Sequence, residues 1–168
     1  HLHRNESAAL LLPLSRSLAR HVGKAYRGRM TIDPAYRLDD QIGYVLRRVT
    51  QRHLAIFAAA IPEVTTTQFA VLARLAETGP LSQNQLGRAV AMDAATIKGV
   101  VDRLTRLGLV TTTADQADRR RLTVDLTPAG RTLFIDRLQT ALQVSQETLA
   151  PLGRDEQAML MALLSRLT

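Results

Sequence analysis

The sequence predicts a mainly α-helical fold carrying one small β-hairpin, on three observations. Apolar residues recur at helical spacing in six separate stretches downstream of residue 30. Aromatics make up only 4% of the chain and Trp is absent, so Leu, Ala and Val must do the packing. Leu and Ala favour helices over strands. Period-two alternation occurs in one place only, on either side of a polar turn.

The first thirty residues stand apart. Leu11, Leu14, Leu18, Val22 and Ala25 share a helical stripe, and Arg16, Arg20, Lys24 and Arg27 form a basic one. Six basic residues against Glu6 alone give this segment a net +5 of the chain's +7, leaving +2 for residues 31–168. Bulk charge is therefore weak evidence for a nucleic-acid partner, and its distribution matters more. Basic amphipathic segments serve as targeting peptides or as arms for acidic partners and membranes. A chain opening on His1 with Met30 downstream keeps two readings of residues 1–30 open: an accessory arm, or a leader.

A long helix is expected from Leu38 to Ala60, with Leu38, Ile42, Val45, Val49, Ile56 and Ala60 on one stripe, broadened by Leu46 and Phe57. Asp39 and Asp40 fall in its first turn, where the helix dipole favours anions, and Pro62 ends it. Three shorter helices follow. Thr65 with Gln68, and Ser82 with Gln85, match the capping-box spacing, and Gly79-Pro80 separates the two. Asp93 is the expected N-cap of a helix through Arg106, with Ile97, Val100, Val101, Leu104 and Leu107 inward and Gly108 as its stop.

Leu109–Thr113 and Arg121–Leu126 are the expected strands, joined by the polar tip Ala114–Arg120. Thr127-Pro128 opens another long helix, which breaks near Pro151–Gly153 before a last one from about Asp155 to Leu167.

Two short helices joined by a tight turn and followed by a hairpin make a winged helix-turn-helix. A helix fits the major groove of B-DNA, and a thin charged hairpin reaches the neighbouring minor groove. Candidate DNA-contacting residues are Ser82, Asp93, Ala94, Ala95, Thr96, Lys98, Gly99 and Arg103, with Asp118, Arg119, Arg120 and Arg121 in the wing. The small residues Ala94, Ala95 and Gly99 allow close backbone approach, and the helix N-terminus can meet phosphates. A solvated outer face is the plain alternative for the helix. Three consecutive arginines in a turn argue against it, because turn chemistry favours Asn, Gly or Asp there and guanidinium groups suit a narrow minor groove.

Over residues 38–168 the sequence resembles the MarR family of bacterial regulators. The resemblance rests on Leu107-Gly108-Leu109-Val110, on Asp115 through Arg121, and on Leu126-Thr127-Pro128-Ala129-Gly130. Asp118-Arg119-Arg120 is similar to that family's Asp-x-Arg wing motif, in which the Asp braces the groove-inserting Arg. Gln116 stands where Pro is common. The resemblance implies a homodimer on a pseudo-palindromic double-stranded DNA operator. Residues 31–62 and 127–168 would supply the N- and C-terminal dimerisation helices, and residues 63–126 the DNA-binding region. It further implies a small aromatic or phenolic acid, or its thioester, as effector between the dimer helices and the winged region. Tyr44, Arg47, Arg48, Gln51, Arg52 and His53 are candidate effector ligands, since Arg grips a carboxylate in bidentate fashion. A solvated or DNA-facing side explains the same cations, and a core histidine explains His53. The alternative function is a regulator or chromosome-coating protein with no small-molecule effector.

Other classes fare worse. There is no cysteine, which excludes disulfides, thiolate metal sites and thiol redox sensing. No Gly-rich phosphate loop, His-Glu metal pattern or nucleophile elbow occurs, so no enzyme activity, catalytic residue, cofactor or metal is expected. No apolar run approaches the roughly 20 residues that span a bilayer, and a soluble cytoplasmic protein without membrane contact is expected.

Overall fold

A computed structural model describes residues 36–114 and 122–168. Among the described residues, 46–168 form one compact unit, and 36–45 belong to a separate one. The latter holds a 3-10 turn, Leu38–Asp40, and the opening of helix α1, Ile42–Ala60. The expected single helix from Leu38 is thus interrupted. Gln41 is extended (φ −85°, ψ 122°), and Asp39 and Asp40 sit in the turn ahead of α1 instead of in its first turn.

After α1 come α2 (Thr66–Thr78), a two-residue strand β1 (Leu81–Ser82), α3 (Gln83–Ala89), α4 (Ala94–Arg106), strands β2 (Val110–Ala114) and β3 (Leu122–Leu126), α5 (Pro128–Leu149) and α6 (Arg154–Ser165). Both expected capping boxes are present: Gln68 N donates to Thr65 Oγ1 at 3.3 Å, and Gln85 N donates to Ser82 Oγ at 3.4 Å. Gly108, φ +70°, ends α4 in the left-handed region that glycine adopts without strain.

The sheet has three strands, not two. Its order is β1-β3-β2, antiparallel throughout, with Leu81 opposite Val124 and Val110 opposite Leu126. A two-residue strand has no room for alternation, and Ser82 doubles as the N-cap of α3. Leu107 also differs from expectation: as the C-cap of α4 it leaves the inward stripe and is exposed.

The core lies between α2, α3, α4 and the sheet. Leu72, Leu75, Leu86, Ile97, Leu104 and Val124 are essentially inaccessible. α2 packs against α5 as well. There Phe69 meets Phe57 of α1 edge-on, centroids 5.7 Å apart, and lies 5.6 Å from Phe134 of α5. One clasp sets where α5 leaves the sheet. Thr127 N donates to the Leu109 carbonyl at 3.1 Å, Thr127 Oγ1 donates to the Gly108 carbonyl at 2.6 Å, and Gly130 N donates back to Thr127 Oγ1 at 3.1 Å. No helix among the described residues is long and apolar enough to cross a membrane.

Candidate nucleic-acid interface and ligand cavity

Helix α4 has two unlike faces. Ile97, Val100, Val101 and Leu104 are buried, whereas Ala94, Ala95, Thr96, Lys98, Asp102, Arg103 and Arg106 are exposed and Gly99 is half-buried. The apolar face anchors the helix on α3 and β2 and leaves the polar one outward.

The first turn is organised by Asp93. Its Oδ1 accepts from the Ala95 and Thr96 amides, both at 2.9 Å, and its Oδ2 accepts from Thr96 Oγ1 at 2.8 Å. Two of the amides expected to be open to a phosphate are therefore already occupied by an internal carboxylate. The Thr96 amide, followed by its hydroxyl, holds the Asp93 carboxyl below its ordinary range. A carboxyl depressed in the folded state stabilises above its unfolded pKa of about 4, and that contribution is lost as pH falls through the folded value. Urea titrations of wild type and Asp93→Asn should accordingly show a stability gap at pH 6 that narrows toward pH 3. A gap independent of pH would remove the charge from this account.

Lys98 Nζ lies 2.7 Å from Asp102 Oδ2 one turn on, an exposed pair that a phosphate can replace with little loss. Arg103 folds back along the helix, with its guanidinium 3.7 Å from where a Cβ on Gly99 would sit. Ser82 caps α3 at the opposite edge of the motif. Asp118, Arg119, Arg120 and Arg121 lie outside the described residues.

The six candidate effector ligands separate. Tyr44 belongs to the unit that holds residues 36–45. Arg47, Arg48 and Gln51 are exposed on α1. Arg52 Nη2 donates to the Glu147 carbonyl near the end of α5, 3.1 Å away. His53 is half-buried and not a core residue. Its Nδ1 lies 3.0 Å from Thr148 Oγ1, which itself donates to the Val144 carbonyl at 2.8 Å. The Thr148 hydroxyl proton is thus committed to Val144, so its oxygen accepts from His53 Nδ1–H.

A cavity of about 380 Å³ lies further along, between the end of α1 and the start of α2. Leu54, Phe57, Ile61 and Val64 give it apolar walls, and Glu63, Thr65 and Thr66 give it polar groups; none of the six candidates lines it. Glu63 Oε1 accepts from Arg137 Nε of α5 at 2.9 Å and also from Nη2. The Arg137 hydrogen bond is the chief reason the Glu63 carboxyl lies below its ordinary range. Neither residue was singled out by sequence. They are 74 positions apart, and each sits in a context that only the fold connects.

A capped helix pair, a third helix with a polar outer face and a small antiparallel sheet define a winged helix-turn-helix DNA-binding regulator. A family model described as the MarR family matches residues 63–121. The chain is 38% identical over 134 residues to the HTH-type transcriptional repressor NicR of Pseudomonas putida, covering 79% of this chain and 85% of that protein. It belongs to the MarR family of transcriptional regulators. A probable transcriptional regulator from Pseudomonas aeruginosa superposes at a TM-score of 0.75 with 53% identity, over 79% of this chain and 100% of that one. Bordetella bronchiseptica BpsR, whose DNA binding is regulated by 6-hydroxynicotinic acid, superposes at 0.74 with 39% identity, over 79% and 96%.

Proposed function

We propose that this protein is a homodimeric, sequence-specific repressor of transcription that a small aromatic acid releases from its operator. The outer face of α4 carries the DNA-binding part of the proposal: polar and small residues are exposed directly behind a fully buried apolar face. The dimer is supported by large apolar side chains left exposed on α5 (Ile135, Leu138, Leu142) and α6 (Met159, Met161, Leu163). Apolar surface in such amounts marks an interaction surface. Repression and the effector class are supported by NicR and BpsR, which respectively carry the repressor name and respond to 6-hydroxynicotinic acid. The protein acts in the cytoplasm, on the chromosome, and catalyses no reaction.

The mechanism follows from spacing. Two α4 helices in one dimer must sit about one helical turn of DNA apart, so a ligand that alters the tilt of either winged region misaligns both. Coupling of about 1–3 kcal/mol would lower operator affinity roughly 5–150-fold. Footprinting should show a protected pseudo-palindrome, and light scattering a dimer. Titration of 6-hydroxynicotinic acid, benzoates, phenols and their thioesters should release the operator. Arg120→Ala should weaken operator binding by about 1–3 kcal/mol, as for one good groove contact. A monomer at micromolar concentration, or no protected site, would overturn the DNA-binding proposal. Unchanged operator affinity across the whole panel would overturn the effector proposal.

A further inference from the structure

We propose that Arg137 is the carboxylate-binding group for an aromatic acid in the α1–α2 cavity, and that Glu63 is the built-in competitor occupying it until the ligand arrives. This inference rests on the aromatic-acid reading above and adds the residues that read the acid.

The argument starts from the cavity wall. A volume of about 380 Å³ is at the small end of the range for organic ligands. Phe57, Leu54 and Ile61 supply a surface suited to one ring. Charge is the difficulty. Among the described residues Glu63 is the only ionisable group in the lining, and a bare carboxylate there would repel an acid. Arg137 is not part of the lining and is joined to it through Glu63. Glu63 is not bare. One of its oxygens takes two donors from a single guanidinium, Nε and Nη2 of Arg137. That is the contact an incoming carboxylate would make, with the protein's own carboxylate in its place.

Burial favours exchange. The two side chains are 38% and 35% exposed, so water can solvate whichever carboxylate is displaced. The Glu63 carboxyl is stabilised as an anion mainly by this hydrogen bond, so it stays charged and competes throughout the neutral range. Glu63 also lies two residues before Thr65, the N-cap of α2. Its release from α5 therefore loosens the entry to the first helix of the DNA-binding motif. Displacement of one charge pair thus links the cavity to the part of the fold that must tilt.

The competitor model makes opposite predictions for the two partners, and a plain tether does not. Direct binding of 6-hydroxynicotinate, salicylate and benzoate is measured by calorimetry on wild type, Glu63→Gln and Arg137→Gln, with circular dichroism confirming the fold of each. Removing the competitor should tighten aromatic-acid binding about two- to fivefold, the scale of a partly exposed ion pair. Removing the cation should weaken it at least about tenfold, the scale of a charge-assisted hydrogen bond. Arg137→Lys should restore part of the loss. Changes of the same sign in both variants, unchanged affinities, or no binding of any of the three acids by wild type and Glu63→Gln would overturn the proposal. The expected order of affinities without operator release would leave the Arg137 assignment standing and overturn the effector-released repressor instead.

Discussion

Gly130→Ala should destabilise the protein by about 3 kcal/mol, the upper part of the range for overpacking. Helix propensity alone predicts the reverse, because alanine is favoured over glycine by up to about 1 kcal/mol inside a helix. Contact decides against propensity here. A Cβ on Gly130 would lie 1.9 Å from the Leu109 carbonyl oxygen and 2.9 Å from its carbon. Both are backbone atoms, so no side-chain rotation relieves the clash. Either the first turn of α5 lifts away, breaking the Thr127 clasp, or the start of β2 moves with the wing it leads into. Thermal unfolding should drop by about 6–12 °C at fixed protein concentration, taking 2–4 °C per kcal/mol for a chain of this size. Gly43→Ala is the control. Nothing lies within 4 Å of a Cβ there, and propensity should prevail. Equal melting temperatures for Gly130→Ala and wild type would show that Leu109 yields more easily than its backbone contacts imply.

Phe57→Ala should cost a comparable amount, about 3–4 kcal/mol. Phe57 is the buried residue of α1. Its ring packs edge-on against Phe69, which in turn meets Phe134, so one side chain joins α1 through α2 to α5. The same ring walls the cavity, so its loss enlarges a space that already exists. Chemical denaturation should report the loss, and Phe57→Leu should recover most of it by refilling the volume. If an aromatic acid binds in this cavity, adding it should stabilise Phe57→Ala less than wild type. A Phe57→Ala protein within 1 kcal/mol of wild type would mean that the aromatic cluster collapses around the gap.

Much of the fold is written in short-range signals. Thr65 with Gln68, Ser82 with Gln85, Asp93 ahead of Thr96, and Thr127-Pro128 each mark a helix start within four residues, and each stands where it was expected. These contacts depend on chain geometry alone, so neighbours in sequence suffice to recognise them. The expected α4, with its split between buried and exposed faces, is legible for the same reason. What was not legible depends on distant partners. Leu81-Ser82 becomes a strand only because β3 passes beside it. His53 meets Thr148 across 95 positions, and Glu63 meets Arg137 across 74. No local pattern distinguishes Arg137 from any other exposed helical arginine. The stripe on α1 carried a different ambiguity. Its apolar period is real, but Leu46 and Val49 are exposed, and the period alone does not separate a stripe that faces the core from one that faces outward.

The hydrogen bond from Thr96 to Asp93 also limits the chemical vocabulary of α4. With its proton committed to Asp93 Oδ2, the Thr96 hydroxyl has only lone pairs left to offer, and its other substituent is a methyl group. Ala94 and Ala95 beside it end in methyl groups too. The leading turn of the helix is thus poor in donors and rich in hydrocarbon. In a major groove, the matching feature is the 5-methyl of thymine. Burying one methyl against another is worth only about 0.8 kcal/mol, less than a bidentate pair to guanine. Discrimination at this turn would be soft at each base and would accumulate over several, a grammar of shape and methyl pattern in place of a few decisive letters.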